Sequence, residues 1–271
     1  MLRHPMKMKK YVVRPGRRVS LDAVDPDDVH LVSDKEHAVE RLSALQSRLV
    51  ELQEILFATH ETKVLIVLQG MDTSGKDGVI RHVVASFNPQ GTRVESFRQP
   101  TEEELDHDFL WRVHRKVPGN GEVAVFNRSH YEDVLVVRVH DLVPGHIWKQ
   151  RYGQINEFER ILAANGTLIL KFFLHISKGE QRKRLQKRLE DNTKRWKFKK
   201  GDLKERKSWT EYQRAYEDAL SKTSTQWAPW HIVPANHKWY RDYVVASVIV
   251  DALERLHLKY PKTDVSGIVV K

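Results

Sequence analysis

The chain has 271 residues, with 46 Lys and Arg against 36 Asp and Glu, and a net charge of +10. Its hydrophobic fraction of 40%, with 9% aromatics, excludes intrinsic disorder, because an α/β chain of this size can bury one core. The absence of cysteine excludes disulfides, thiolate nucleophiles and cysteine-ligated metal centres; no apolar run reaches the roughly 18 residues of a membrane span, and Met1 to Lys10 lacks a signal-peptide h-region, so a cytoplasmic protein with no membrane partner is expected.

Residues 1 to about 33 mix Pro, Gly, Asp and Arg without period and read as an irregular arm. Leu42, Leu45, Leu49, Leu52 and Leu56 then recur at steps of three and four, the apolar stripe of an amphipathic helix. Two heptads are too few for a coiled coil, and a helix docked on the core outweighs a dimer seam. Beyond it, apolar runs alternate with helical patterns. Val64 to Leu68, Val94 to Phe97, Val123 to Phe126, Leu168 to Leu174 and His231 to Val233 are the expected strands. The first, third and fourth are almost continuously apolar, as expected of strands covered on both faces, so a parallel sheet in an α/β fold is expected. Thr101 with Glu104 forms a capping box after Pro100, and Trp239 to Leu256 supplies a closing amphipathic helix.

The first strand runs into Gly70-Met71-Asp72-Thr73-Ser74-Gly75-Lys76, the spacing G-x-x-x-x-G-K, directly before a helix. Such a loop turns successive backbone N–H groups inward, sets a helix N-terminus against an anion and lets the lysine reach a phosphate oxygen. The Ser or Thr that ordinarily follows the lysine and helps to hold Mg²⁺ is replaced by Asp77. The metal must then be held otherwise; Asp72 offers a carboxylate inside the loop, whereas Asp77 is better suited to capping the helix.

The third strand ends in Asn127-Arg128-Ser129-His130-Tyr131-Glu132-Asp133. An acidic group at the carboxyl end of a neighbouring strand positions Mg²⁺ in a P-loop fold, and Asp133 is the favoured ligand. Arg128 has the planar fork to hold an acceptor phosphate, and His130 reads as structural. Further on, Lys178 to Lys207 holds 14 Lys and Arg against 5 Asp and Glu, so 30 residues carry most of the charge surplus.

With G-M-D-T-S-G-K-D and F-N-R-S-H-Y-E-D-V, the sequence resembles the polyphosphate kinase 2 family. The likeness runs over essentially the whole chain, including Arg98-Gln99-Pro100-Thr101, Lys171 to Ser177 and Lys194 to Phe198. It implies a P-loop three-layer α/β/α sandwich related to thymidylate kinase: one kinase domain over residues 1–271, with an arm and helix at 1–60 and a basic lid at 178–207. It implies reversible transfer of the terminal phosphoryl group of inorganic polyphosphate to a nucleotide, with Mg²⁺ or Mn²⁺, in a homo-oligomer, dimer or tetramer. By motif, Asp72 and Asp133 hold the metal and Gly70, Thr73, Ser74, Gly75, Lys76 and Asp77 bind phosphate. Asn127, Arg128 and Glu132 lie on the nucleotide side, and Asp72, Lys76, Arg128 and Asp133 are the catalytic set.

Members that mainly phosphorylate diphosphates carry an Asp where this chain has Asn127. The amide, one charge different from a carboxylate, resembles the members that accept AMP as well as ADP; guanine nucleotides are further candidate acceptors. In the lid, Gln181 to Leu189 reads as a helix with Leu185 and Leu189 facing the core, Asp191-Asn192 as its break, and Lys194 to Lys200 as a mobile basic turn before a helix after Gly201-Asp202. Arg184, Arg188, Arg195 and Lys197 are the cations expected on the donor, while Trp196 and Phe198 either anchor the lid or stack on a base. Two other functions remain open: an ATP-dependent nucleoside monophosphate kinase of the same fold, and a nucleic-acid binder with a degenerate loop. No RNA-binding signature accompanies the basic residues, so no nucleic-acid partner is expected.

Overall fold

The structure, a computed structural model, describes residues 8–198, 200–264, 266 and 270. Met1 to Lys7, the start of the expected arm, lie outside the described residues. All five expected strands are present: β1 (Lys63–Gln69), β2 (Thr92–Ser96), β3 (Val123–Asn127), β4 (Thr167–His175) and β5 (Trp230–Pro234). They form one sheet in the order β2-β3-β1-β4-β5, every pair parallel. Central β1 is fully buried from Val64 to Gln69, which accounts for its unbroken apolar run.

The helices are α1 (Lys35–Thr59), α2 (Lys76–His82), α3 (Glu102–Asp106), α4 (Trp111–His114), α5 (Val136–Val139), α6 (Gly145–Ala164), α7 (Lys178–Glu190), α8 (Lys200–Lys207), α9 (Trp209–Thr223) and α10 (Lys238–Glu254). α1, α2 and α10 pack together in one group and α5, α6 and α9 in another, with the sheet as the middle layer of an α/β/α arrangement. α1 starts where the Asp34 carboxylate accepts hydrogen bonds from the Glu36 and His37 amides, and stops where His60 turns left-handed at φ 54°. Leu45, Leu49, Leu52 and Leu56 are buried, and α1 lies along α10, so the stripe serves the core. The capping box at Thr101 and Glu104 forms as expected.

Val12 bridges His231 in antiparallel sense and the Val13 amide donates to Trp230 O at 2.8 Å. The arm thereby covers the outer edge of β5, where unpaired backbone groups would otherwise stay open to another chain. Two expectations for the basic segment need correction. Leu189 is 45% exposed, not core-facing, because only Leu185 of the pair points inward. Gly201 and Asp202 lie inside the first turn of α8 rather than before it. No described helix is long and apolar enough to cross a membrane.

Candidate active site

Beside β1 the strand order reverses, β3 to one side and β4 to the other, and the carboxyl ends of these strands are where an open parallel sheet leaves a crevice. Register pairs Leu68 with Asn127, so the glycine loop after β1 and the polar motif after β3 emerge side by side. Gly70 takes φ 149°, and a Cβ there would lie 2.7 Å from Leu174 O and from Ser74 Oγ. Gly75 takes φ 109°, and a Cβ there would overlap the Arg241 guanidinium packed beneath the loop. The two motif glycines are thus demanded by close approach as well as by backbone angle.

Lys76 opens α2 but folds back under the loop, its Nζ donating to Gly70 O at 2.6 Å and to Met71 O at 3.4 Å. Burial, followed by the nearby Arg128 charge, lowers its pKa to about 8. Arg128 sits at φ 63°, a left-handed conformation costly for a side chain with a Cβ and therefore held by its surroundings. Its Nη2 donates to Asp72 Oδ1 at 2.9 Å, and its Nη1 lies 3.8 Å from Glu132 Oε2. These carboxylates, Glu132 first, hold the guanidinium pKa above its usual value against the opposing effect of burial. Asp72, Arg128 and Glu132 therefore form one chain of charge joining loop to motif. Gln69 reinforces it, donating from Nε2 to Ser129 Oγ and to Glu132 Oε1, both at 3.2 Å. Asn127 Nδ2 donates to Asp77 Oδ1 at 2.9 Å, while Asp77 occupies the first turn of α2, where a negative charge is favourable.

Asp133 stands apart from this chain. Its Oδ1 accepts from Arg151 Nη1 at 3.0 Å; its Oδ2, buried, lies 3.9 Å from Arg112 Nη2 and has no hydrogen-bond partner among the described residues. Burial outweighs both arginines and pushes its pKa up to about 6. Arg112 also donates to Arg98 O at 2.9 Å, so the segment after β2 braces the same carboxylate. Behind the motif, fully buried Lys171 on β4 donates to Tyr131 Oη at 2.9 Å, Glu159 Oε2 at 2.6 Å and Thr223 O at 2.7 Å. Glu159 also accepts from Tyr131 Oη at 2.8 Å and meets His130 Nε2 at 3.2 Å. The penalty of burial is overcome at Glu159 by the Lys171 charge and the His130 hydrogen bond, which keep it below the usual carboxylate range. His130 itself is fully buried, its Nε2 turned to Glu159.

The expected donor cations divide. Arg188 pairs with Asp202 of α8 at 3.5 Å, and Arg195 folds its Nε onto Leu189 O at 2.6 Å. Lys197 ends a short 3-10 turn, and its side chain lies outside the described residues, as does Lys199. Trp196 is 75% exposed and so does not anchor the turn on the core. Arg184 departs most from expectation: it is buried beneath the loop, its five N–H groups spent on Glu180 Oε1 and on the carbonyls of Thr73, Ser74, Ala235 and Asn236. A guanidinium has no further donor, so Arg184 has none left for a phosphate chain.

Residues 32–261 match the family model described as Polyphosphate kinase 2. The chain belongs to the polyphosphate kinase 2 family. It is 55% identical over 261 residues, 96% of this chain and 98% of the relative, to the AMP/ADP-polyphosphate phosphotransferase of Meiothermus ruber. It is 45% identical, over 95% of this chain and 93% of the relative, to the ADP-polyphosphate phosphotransferase of Rhodopseudomonas palustris. The crystal structure of Polyphosphate Kinase 2 from Arthrobacter aurescens TC1 superposes with a TM-score of 0.91 at 46% identity, covering 94% of this chain and 92% of that one. The family resemblance, the P-loop fold and the phosphotransferase class expected from the sequence thus agree with the comparisons.

Proposed function

We propose that this protein transfers the terminal phosphoryl group of inorganic polyphosphate to AMP and to ADP, reversibly and without a covalent enzyme intermediate. The observation that carries the reading is the Asp72–Arg128–Glu132 chain, which fastens the motif after β3 to the phosphate loop and brings Lys76 beside Arg128. In-line transfer asks the protein for position and charge rather than for a covalent partner. The loop amides and the Lys76 ammonium hold the donor phosphates. Arg128, aimed by Asp72 and Glu132, offers its fork to the acceptor.

A divalent cation fits this site, because Asp133 Oδ2 is a buried carboxylate oxygen without a hydrogen-bond partner among the described residues. Among the described residues no three Asp, Glu or His side chains converge, so Mg²⁺ or Mn²⁺ would be held by one or two carboxylates with water and phosphate oxygens. Asp133 and Asp72 would hold it. When bound it neutralises charge on the transferred group.

Acceptance of both AMP and ADP is supported by the neutral Asn127 amide paired with Asp77, and by the high identity to the Meiothermus ruber protein. Residues 178–207 would close over the donor, with Arg188, Arg195 and Lys197 as its cations. The test is phosphorylation by polyphosphate with Mg²⁺ of AMP and ADP, read as ADP and ATP, and of GMP and GDP, read as GDP and GTP, with the oligomeric state measured on the same preparation. Wild type converts AMP and ADP, and Lys76→Ala lowers the rate by about 10³ or more. No ATP from ADP, or equal turnover with ATP in place of polyphosphate, refutes the reading.

A further inference from the structure

A phosphate cradle works only if successive N–H groups of the loop point the same way. In a planar trans peptide the carbonyl of one residue and the N–H of the next point in opposite directions, so whatever grips the carbonyls decides where the amides face. Three consecutive carbonyls of this loop are gripped from α7. Gln181 Nε2 donates to Asp72 O at 3.1 Å, and Arg184 Nη1 donates to Thr73 O at 2.9 Å and Ser74 O at 3.0 Å. The peptides 72–73 and 74–75 thereby turn the Thr73 and Gly75 amides away from α7. The middle peptide is fixed at both ends, since the Ser74 amide donates to Met71 O at 3.0 Å and closes the turn.

Both gripping side chains are buried, Gln181 to 1% exposure and Arg184 to 9%, and both donate to backbone carbonyls of the protein itself. Gln181 is engaged at its other end as well. Its Oε1 accepts from Arg206 Nη1 of α8 at 2.9 Å, and the same Nη1 reaches Lys178 O at 2.7 Å. A single buried amide thus links the second helix of the basic segment to the backbone of Asp72. Arg184 Nη2 meanwhile ties the loop to Ala235 O and Asn236 O, after β5.

We propose that Gln181 and Arg184 are positioning residues that set the peptide orientation of the phosphate loop, and that Gln181 couples α8 to it. A donor chain that draws α8 inward then acts on the Asp72 peptide through Arg206 and Gln181. This rests on the loop being the donor-phosphate site, so Lys76→Ala is measured alongside.

The experiment compares wild type with Arg184→Lys, Gln181→Met, Gln181→Glu and Arg206→Met by steady-state kinetics and by calorimetric binding of inorganic tripolyphosphate. Lysine keeps the charge of Arg184 but has three donors for five acceptors. Glutamate keeps the acceptor for Arg206 but cannot donate to Asp72 O. Arg184→Lys and both Gln181 variants are expected to weaken tripolyphosphate binding and raise the KM for polyphosphate about tenfold, the scale of a lost oriented hydrogen bond or two, with the KM for ADP changed less than about twofold. Arg206→Met, at a more exposed position, shifts the same two quantities about threefold. If these variants bind tripolyphosphate as wild type does, or if both KM values rise together, the clamp is refuted. If Lys76→Ala also leaves tripolyphosphate binding unchanged, it is the donor-site reading that fails.

Discussion

Asp133→Asn is expected to make the metal-free protein more stable while it abolishes phosphoryl transfer. The carboxylate is 7% exposed, and burial pushes its folded-state pKa up to about 6, well above its ordinary 3.8, despite Arg151 at 3.0 Å. A carboxyl group with a raised pKa binds its proton more tightly in the folded state than in the unfolded one. Its favourable contribution is present at low pH and is lost as pH rises from about 4 through 6, so the ionised form is a burden at neutrality. The shift corresponds to about 3 kcal/mol at 1.36 kcal/mol per unit, or on the order of 6 °C in Tm for a chain of this size. Asparagine keeps an oxygen for Arg151 and removes the charge.

The assay is urea unfolding in EDTA at pH 7.5 and at pH 4, with wild type and variant in parallel. The variant should exceed wild type by about 3 kcal/mol at pH 7.5 and by close to nothing at pH 4. Mg²⁺ should then stabilise wild type by mass action and leave the variant unchanged. A variant no more stable than wild type at pH 7.5, or a difference that survives at pH 4, refutes the claim that burial dominates this carboxylate.

Two further expectations concern groups outside the chemistry. Burial lowers the His231 pKa to about 4, so between pH 6.5 and 4 the unfolded state binds more protons and stability falls as pH falls. The stability difference between wild type and His231→Gln should therefore shrink by about 3 kcal/mol from pH 7 to pH 4, and a constant difference contradicts the assignment. Lys171→Met leaves Glu159 buried against His130 without its main partner and should cost about 3–5 kcal/mol in urea unfolding. Adding Glu159→Gln should recover part of that loss, whereas additive losses would show that the pair is not coupled.

What the sequence revealed about this site follows from how local each signal is. Strand positions, the glycine loop and the motif after β3 are short-range patterns: an unbroken apolar run, fixed glycine offsets and a polar cluster at a strand end. Each stays within a few residues of its own chemistry, so Asp72, Lys76, Asn127, Arg128 and Glu132 could be named before their meeting was visible. Arg151 and Arg112 could not, because they reach Asp133 from α6 and α4 through side chains that look like ordinary charges on helices. Lys171 was hidden differently, as the single cation of an apolar strand whose partners come from three other segments.

Arg184 shows why counting charge misleads at the scale of one residue. In the sequence it is one of fourteen cations in a basic segment, indistinguishable from Arg182 and Arg188 beside it. Helical spacing places it at i, i+3 from Gln181 and next to Leu185, and that is the inward face: Gln181, Arg184 and Leu185 are the buried residues of α7. An arginine on the apolar side of a charged helix must find acceptors inside the protein, since an unpaired buried guanidinium is prohibitively costly. The acceptors that Arg184 finds are Glu180 and four carbonyls, of which Thr73 O and Ser74 O belong to the loop proposed to bind phosphate. The amphipathic pattern therefore carried the information that the charge count concealed, and the face a cation occupies decides whether it points to solvent or shapes the loop beneath which it lies.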